Sequence, residues 1–281
     1  MKTLIIPDIH LKWNIADRIL NAEPNFDKCI LLGDYFDDFH DNTFSNEKMA
    51  EWIKEKIDDP RFVFLMGNHD ISYAHGGSRG YLICPGFTHD KNRAINKVLY
   101  DHWHKFQYYY FHEGILFSHA GMTDIYFRDA KPDLETLTEW LANEVVYSKE
   151  EAFGMGSGCP KLFGAGHDRG GNQNVGGLLW CDHSYHIPLE CIPQIYGHTP
   201  LRFPDYRLRN VKKKKTFYCG VNDSREILND SHLYKPWSLC LDTHLKHYGV
   251  IENNVLYIRN VNGYDSPTNQ EFDTIHTRQL K

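Results

Sequence analysis

Residues 1–10 have the sequence MKTLIIPDIH. The apolar run Leu4–Ile6 predicts a short buried strand, and in α/β proteins the side chains that follow such a strand lie at the rim of the sheet, where binding sites form. Asp8 and His10 follow this run. On an extended segment, residues two apart point to the same side, so this carboxylate and this imidazole converge. One oxygen and one nitrogen ligand suit a divalent cation such as Mn, Fe or Zn, although a plain polar strand end has the same pattern.

Two further apolar runs end in the same way. Lys28–Leu32 (KCILL) leads into Gly33 and Asp34, and Phe62–Met66 (FVFLM) leads into residues 67–70 (GNHD). Helical patterns separate the three runs, and strands that alternate with helices predict an α/β fold with parallel strands. Because the carboxyl ends of such strands share one edge of the sheet, the three polar segments are expected to cluster in space.

Two histidines follow apolar runs later in the chain. The run Gly114–Ser118 ends at His119, and Gln194–Tyr196 leads into His198. Residues 71–113 contain many other histidines and aromatic residues, and we interpret these histidines as packing or surface groups. This region is predicted to be irregular and then helical, and to form a lid or insert over the first sheet.

Three polar stretches carry no apolar pattern. The glycine-rich stretch 154–177 contains Arg169, and such a loop either folds over an anion or is an ordinary surface loop. The basic run 212–215 is interpreted as a solvated loop or, alternatively, as a phosphate or nucleic-acid contact. Residues 265–281 predict a loose polar tail.

The composition is that of an ordinary globular protein, with 41% hydrophobic and 24% charged residues among 281. The net charge of −6 disfavours attraction to nucleic acid over the whole surface. Seven widely spaced cysteines without a C-x-x-C pair predict reduced thiols rather than a disulfide framework or a zinc finger. The sequence has no recognisable signal peptide and no apolar run of membrane-spanning length, so we expect a cytoplasmic protein of one domain without a membrane partner.

Five motifs together resemble the signature of the calcineurin-type metallophosphoesterases, in order and in spacing, over about residues 5–260. They are Asp8-Ile9-His10, Gly33-Asp34-Tyr35-Phe36-Asp37, Gly67-Asn68-His69-Asp70, His119 and Gly197-His198-Thr199. Finer features resemble the phosphoprotein-phosphatase branch, which includes bacterial members and the symmetrical diadenosine tetraphosphate hydrolases. These features lie at residues 118–121, 178–182, 196–200 and 241–243.

The resemblance implies a four-layer α/β/β/α sandwich, in which two mixed β-sheets are flanked by helices and a helical insert lies near the active site. It implies a metallophosphoesterase domain over residues 1–264, which includes the lid or insert at 71–113 and is followed by the tail at 265–281.

The resemblance also implies two divalent cations. The ligands of the first would be Asp8, His10 and Asp34; those of the second would be Asp34, Asn68, His119 and His198. Asp34 would bridge the two ions, for which we expect manganese, with iron, zinc, nickel or cobalt as alternatives. Two such ions roughly 3.5–4 Å apart bind a phosphate between them, and the hydroxide that bridges them attacks phosphorus.

In the same family, a histidine protonates the leaving oxygen, and a carboxylate paired to its other nitrogen orients it. Here His69 would have the first role and Asp37 the second. Asp70 is a second candidate for the partner of His69, or a turn cap after the strand.

One departure from the protein-phosphatase branch concerns substrate binding. Asp38 and Phe39 stand where that branch typically has arginine and glycine, and an acidic side chain would repel a phosphate rather than bind it. Arg79 or Arg169 is expected to supply the missing cation. This departure argues against strict specificity for phosphoserine and phosphothreonine.

The predicted function is that of a dinuclear-metal phosphatase, which hydrolyses a phosphomonoester on a protein or a small molecule. A hydrolase of diadenosine polyphosphates or other nucleotides is the alternative. A nuclease or cyclic-nucleotide phosphodiesterase is disfavoured by the acidic net charge and by Pro200, which stands where families acting on phosphodiesters more often carry a second histidine. A catalytically inactive metal-binding scaffold is the remaining interpretation.

Overall fold

The computed structural model describes residues 1–77, 82–127, 131–153, 161–208, 215–216, 237–253, 255–261 and 275–276. Within these residues the strands form two six-stranded sheets. In chain order the strands are β1 (Lys2–Ile6), β2 (Lys28–Leu31), β3 (Phe62–Phe64), β4 (Tyr109–His112), β5 (Ile115–Ser118), β6 (Gln194–Tyr196), β7 (Asp205–Leu208), β8 (Lys215–Thr216), β9 (Trp237–Cys240), β10 (His247–Glu252), β11 (Val255–Asn260) and β12 (Ile275–His276). The first sheet has the order β12-β11-β10-β1-β2-β3, and the second has the order β4-β5-β6-β9-β7-β8.

The centre of the first sheet is built from the apolar runs at the start of the chain. β1 pairs in parallel with β2, and β2 pairs in parallel with β3. Each of these strands is apolar on both faces because both faces are covered. The predicted parallel arrangement is confirmed, and the carboxyl ends of the three strands lie at one edge. In the second sheet, β5, β6 and β9 are likewise parallel.

The two sheets pack face to face over an apolar core, which we call the intersheet core. It includes Ile5 of β1 and Ile30 of β2 from the first sheet, and Phe117 of β5 and Leu239 of β9 from the second. Neighbouring residues such as Leu31 belong instead to the outer core, which the sheets share with the helices. This alternation follows from the pleat of a strand, whose successive side chains point to opposite faces.

Helices cover the outer faces of the sheets. They are α1 (Trp13–Ala22), α2 (Thr43–Lys56), α3 (Asn68–Ala74), α4 (His89–Leu99) and α5 (Leu134–Phe153). α1 buries Ile19, α2 buries Ile53 and α5 buries Leu137 in the outer core. The predicted fold class, a four-layer α/β/β/α sandwich, is confirmed.

α2 begins at Thr43, within a polar segment. The side chain of Asn42 accepts the backbone N–H of Ser45 at 2.9 Å, and Ser45 Oγ lies 3.1 Å from the backbone N of Asn42. This reciprocal capping satisfies two backbone donors and extends the helix into a polar sequence.

Three strands before β11 differ from the sequence predictions. β4 lies in the region predicted to be irregular and then helical, and it pairs antiparallel with β5. β7 and β10 come from segments for which no strand was predicted. β10 pairs with β1 although Gly249 interrupts its apolar run. A Cβ at Gly249 would lie 3.1 Å from Ile5 Cδ1, so the glycine lets the backbone of β10 approach this side chain. Pairing partners, rather than the local pattern, define these strands.

The predicted domain limits stay predictions, since residue 264 lies outside the described residues. Within the predicted insert at 71–113, α4 packs against α2 and β4 joins the second sheet. Within the predicted tail at 265–281, β12 pairs with β11. The basic run extends into β8 only at Lys215, and residues 212–214 lie outside the part of the chain that is described.

Along the described ranges, no helix combines the length and the apolar character that a membrane crossing requires. The predicted cytoplasmic location stays a prediction. The described cysteines are free thiols at positions 29, 84, 181, 191 and 240.

Truncation of the intersheet core is expected to destabilise the fold. Ile30 is fully buried, so Ile30→Ala should lower the free energy of unfolding by about 2–5 kcal/mol through lost burial and a residual cavity. Ile187 has 43% of its surface exposed, and Ile187→Ala should change that free energy by about 0.5 kcal/mol or less. Urea denaturation of both variants measures the difference, and equal losses would contradict the described packing.

Candidate metal centre

Five loops meet at the carboxyl ends of the parallel strands. They follow β1, β2 and β3 of the first sheet and β5 and β6 of the second, and they bring together all six predicted ligands. These are Asp8, His10, Asp34, Asn68, His119 and His198. All are buried except His10, which is partly exposed.

Asp34 lies at the centre of this cluster. Its Oδ2 is 3.4 Å from His119 Nε2 and 3.8 Å from His10 Nε2. Its Oδ1 accepts the backbone N–H of His69 at 3.0 Å. Asp34 thus belongs to two groups of possible ligands, one with Asp8 and His10 and one with His119 and His198, and within each group the ligand atoms lie within 4.8 Å of one another.

Asn68 joins the second of these groups. Its Oδ1 lies 2.8 Å from His119 Nε2 and 2.9 Å from His198 Nδ1, and the two imidazole nitrogens are 3.2 Å apart. A carboxamide oxygen only accepts hydrogen bonds, and a neutral imidazole has one nitrogen that does so. Acceptor atoms this close repel one another unless a proton or a cation lies between them.

Backbone carbonyls determine which nitrogen of two imidazoles is available as a ligand. His10 Nδ1 lies 2.8 Å from the carbonyl oxygen of Asp37, and His119 Nδ1 lies 2.9 Å from that of Leu32. Because a carbonyl oxygen accepts, each Nδ1 carries a hydrogen and donates it. Nε2 is left as the ligand atom of both rings, which is the usual orientation of a metal-binding histidine.

One contact joins the two sheets directly at the cluster. Both carboxylate oxygens of Asp8, which follows β1, accept the backbone N–H of His198, which follows β6, at 3.1 and 3.0 Å. Such close approaches require glycine before the ligand. A Cβ on Gly197 would lie 2.0 Å from Asp8 Oδ1, and one on Gly67 would lie 2.2 Å from Asp34 Oδ1.

The backbone is strained at four of the predicted site residues. His10, Asp34, Asp37 and His198 have φ values of 41°, 50°, 64° and 68°, in the left-handed region. Such conformations cost on the order of 1–3 kcal/mol each, persist only where the surroundings enforce them, and concentrate at functional sites. The strain therefore indicates function at the same place as the ligand geometry.

Protonated histidine compensates the buried charge of Asp34, whereas Asp8 is not compensated in this way. Burial raises the pKa of Asp8, and the neighbouring Asp242 raises it further. Burial also disfavours charge on Asp34, but His119 and His69 outweigh this effect and lower its pKa. Burial would lower the pKa of His119, but Asp34 outweighs it and raises that pKa to about 10. His119 is therefore an imidazolium at neutral pH, held by the negative charge that would attract a metal ion.

The donor set fits a divalent metal. Carboxylate, carboxamide and imidazole ligands suit Mn, Fe and Zn, and a shared carboxylate suits two ions. A family model of calcineurin-like phosphoesterases matches residues 1–200. The chain belongs to this family. The prediction from the five motifs is confirmed, and the chain is a metallophosphoesterase, an enzyme that hydrolyses phosphoric esters.

Solved structures resemble this metallophosphoesterase at low sequence identity. A metallophosphoesterase from Sphaerobacter thermophilus is 11% identical, with a TM-score of 0.45, over 93% of this chain and 88% of that one. A protein serine/threonine phosphatase from Saccharomyces cerevisiae is 10% identical, with a TM-score of 0.44, over 100% and 81%. YfcE, a phosphoesterase from E. coli, is 11% identical, with a TM-score of 0.40, over 99% and 100%. No curated protein matches the chain significantly.

Next to the ligand cluster of the metallophosphoesterase, His69 pairs with a carboxylate. Its Nδ1 lies 2.9 Å from Asp37 Oδ2. Asp37 Oδ1 accepts hydrogen bonds from Tyr73 Oη at 2.5 Å and from Lys91 Nζ at 3.0 Å. The ring of His69 also lies edge-on to that of His10, with 5.4 Å between centroids. The structure thus places the predicted acid beside the ligands and holds its partner in three contacts.

Asp70 has a different position from the one that a partner of His69 requires. Its carboxylate accepts the backbone N–H groups of Asp34, Tyr35 and Gly67 at 2.8, 2.9 and 2.8 Å. Burial and the charge of Asp34 raise the pKa of Asp70 to about 7. Of the two interpretations for Asp70, the turn cap agrees with these contacts, and the cap holds two ligand loops together.

The structure describes one of the two arginines that were predicted to bind substrate. Arg169 is paired with Asp182, at 2.8 Å between Nη2 and Oδ2. Burial and the charge of His119 lower the pKa of His198. The charge of Arg169 contributes to the same shift. Arg79 lies outside the described residues. Asp38, which replaces the arginine of the related branch, is 4.0 Å from Lys12.

Several residues around the site were not predicted to have a role. Tyr73 and Lys91 hold Asp37, Cys84 contacts Asn68, and Asp242 lies close enough to Asp8 to raise its pKa. A buried lysine needs a partner, but the burial of Lys91 is visible only in the structure. The position of Cys84 follows no sequence pattern.

Metal binding is expected to release a proton from His119. This ring is protonated at neutral pH in the chain alone, and ligation requires the neutral imidazole. Calorimetric titration with Mn²⁺ in buffers of different ionisation enthalpy should detect the proton, and the affinity should rise with pH as the competing proton is lost.

His119→Asn should remove this proton release. His112→Asn is the matched control, because His112 binds Thr3 Oγ1 near the start of β1. Undiminished release in His119→Asn would show that another group gives up the proton.

Proposed function

We propose that this metallophosphoesterase is a divalent-metal-dependent phosphatase that hydrolyses a phosphomonoester. The observation that carries the proposal is the position of the His69–Asp37 pair, whose imidazole adjoins both Asn68 and His10. A positioned acid beside two ligand groups is the combination that cleavage of a poor leaving group needs. The proposed substrate is a phosphorylated protein or small molecule.

The metal-binding residues proposed for the two ions share Asp34. Asp8 and His10 would complete the first site; Asn68, His119 and His198 would complete the second. When bound, two divalent ions would activate a water molecule and neutralise negative charge on the phosphate. We propose manganese for both positions, in agreement with the mixed oxygen and nitrogen donors.

His69 would supply the proton that the leaving oxygen requires. Its Nδ1 hydrogen is held by Asp37, so Nε2 is the atom that transfers a proton. Burial would lower the pKa of His69, but the charges of Asp34 and Asp37 outweigh it and raise that pKa. The raised pKa favours the imidazolium form, which carries the proton to be transferred. Lys91 and Tyr73 keep the Asp37 carboxylate in place during the transfer.

Two residues bear on the substrate class. Pro200 gives no nitrogen ligand, which disfavours the diesterase alternative, and Asp38 gives no guanidinium for a phosphoprotein. Phosphate release from phosphopeptides, diadenosine tetraphosphate and bis-p-nitrophenyl phosphate should be compared at equal enzyme concentration. Preference for diadenosine tetraphosphate would support a nucleotide hydrolase instead of a phosphatase. Preference for bis-p-nitrophenyl phosphate would support a diesterase.

Loss of the shared ligand is expected to abolish activity. Hydrolysis of p-nitrophenyl phosphate with added Mn²⁺ should fall in Asp34→Asn by more than the roughly 10–100-fold that loss of an outer-shell partner costs. Chelation should have the same effect on the unmodified protein. Asp101→Asn changes an exposed carboxylate two residues after the end of α4 and should retain full turnover. Metal-loaded protein that released phosphate from no ester or anhydride would instead be a scaffold.

Replacement of His69 is expected to affect poor leaving groups selectively. A general acid contributes about 10²–10⁴-fold in rate, mainly where the departing oxygen is strongly basic. His69→Asn should therefore lose far more turnover with an alkyl phosphate than with p-nitrophenyl phosphate. Asp37→Asn should shift the same ratio in the same direction. An equal loss for both substrates would assign His69 a structural role.

A further inference from the structure

The segment that follows α3 places a thiol against the carboxamide of Asn68. Cys84 is 2% exposed, and its Sγ lies 3.0 Å from Asn68 Nδ2 and 3.0 Å from the backbone oxygen of Asn68. The thiol donates its hydrogen to the carbonyl and accepts one from the carboxamide. The sulfur therefore uses both its donor and its acceptor capacity on Asn68.

This contact distinguishes the two ends of the carboxamide. Asn68 Oδ1 faces His119 Nε2 and His198 Nδ1, while Nδ2 faces Cys84. Only the oxygen can bind a cation, because the amide nitrogen has no available lone pair. A carboxamide turned by 180° would present hydrogens to the ligand cluster, and its oxygen would face a sulfur whose hydrogen is already donated to the backbone oxygen of Asn68.

The thiol is itself held in place by the helix that carries Asn68. The backbone N–H of Cys84 donates to Ser72 Oγ at 3.0 Å, and Ser72 Oγ donates to the carbonyl of Leu82 at 2.7 Å. Asn68 and Ser72 are four residues apart and share one face of α3. The segment from Leu82 to Cys84 is thus fixed to α3 at two points, and the sulfur has little freedom to move away.

A reactive thiol is the main alternative for a cysteine at this position. Reactive cysteines are exposed and have a lowered pKa. The side chain of Cys84 is inaccessible, and its sulfur lies at hydrogen-bonding distance from the backbone oxygen of Asn68, which can only accept a hydrogen. A purely packing role is the second alternative, and substitution by an apolar side chain of similar volume distinguishes it.

We propose that Cys84 is a positioning residue, which orients the Asn68 carboxamide so that its oxygen binds the second cation. The inference rests on the proposed function to the extent that Asn68 is a ligand there. Outer-shell partners of this kind are worth about 10–100-fold in metal affinity. Cys84 would act on the affinity of one ion and leave the site of Asp8 and His10 unchanged.

The test compares Mn²⁺ binding by calorimetry in the full-length protein and its variants. Cys84→Val keeps the volume and removes the donor and the acceptor, and it should weaken one of the two binding events by about 10–100-fold. Cys84→Ser keeps both capacities and should restore most of the affinity. Cys29→Val is the matched control at a second fully buried thiol, in β2, and both binding events should be unchanged.

Two binding events of wild-type affinity in Cys84→Val would overturn the inference and leave the proposed function intact. Absence of Mn²⁺ binding by the unmodified protein would overturn the proposed function instead. Should Cys84→Val fail to fold, Cys84→Ala takes its place, and thermal unfolding with and without Mn²⁺ provides the second measurement. The inference requires that Cys84→Ala reduce the Mn²⁺-dependent rise in Tm while Cys84→Ser retains it; equal rises overturn it.

Discussion

The buried carboxylate of Asp34 is the interaction on which the rest of the site depends. One of its oxygens binds the backbone of the loop after β3, and the other faces His119 and His10. A carboxylate in such a place is costly unless positive charge surrounds it, and in this chain histidines supply that charge. The same arrangement that keeps Asp34 ionised also makes it attractive to a cation. Its own backbone N–H is held by Asp70, so its strained conformation is enforced from outside.

Much of this organisation was predictable because the first three strands are short, continuous apolar runs. Runs of that kind are buried on both faces, and burial on both faces implies parallel strands between helices. From there, the clustering of Asp8, Asp34 and Asn68 follows from chain geometry alone. The partners from the second sheet, His119 and His198, needed the resemblance to a family, since an isolated histidine after a strand has no specific meaning.

The remaining features depend on contacts that have no signal in the local sequence. β10 contains a glycine and polar residues, and only its place beside β1 makes it a strand. Cys84 is 16 residues from Asn68, and Lys91 is 54 residues from Asp37. Neither separation is periodic or part of a motif. The choice between Asp37 and Asp70 as the partner of His69 also required coordinates, because Asp70 is adjacent in sequence and Asp37 lies in the neighbouring loop.

The hydrogen bonds from His198 to Asp8 have a consequence for the evolution of this enzyme. Four of the six predicted ligands follow strands of the first sheet and two follow strands of the second, and these bonds cross between the two groups. The thickness of the intersheet core therefore sets the distance between these two groups of ligands. Exchanges among aliphatic residues far from any reacting atom, although harmless to folding, can retune which metal and which substrate the centre accepts.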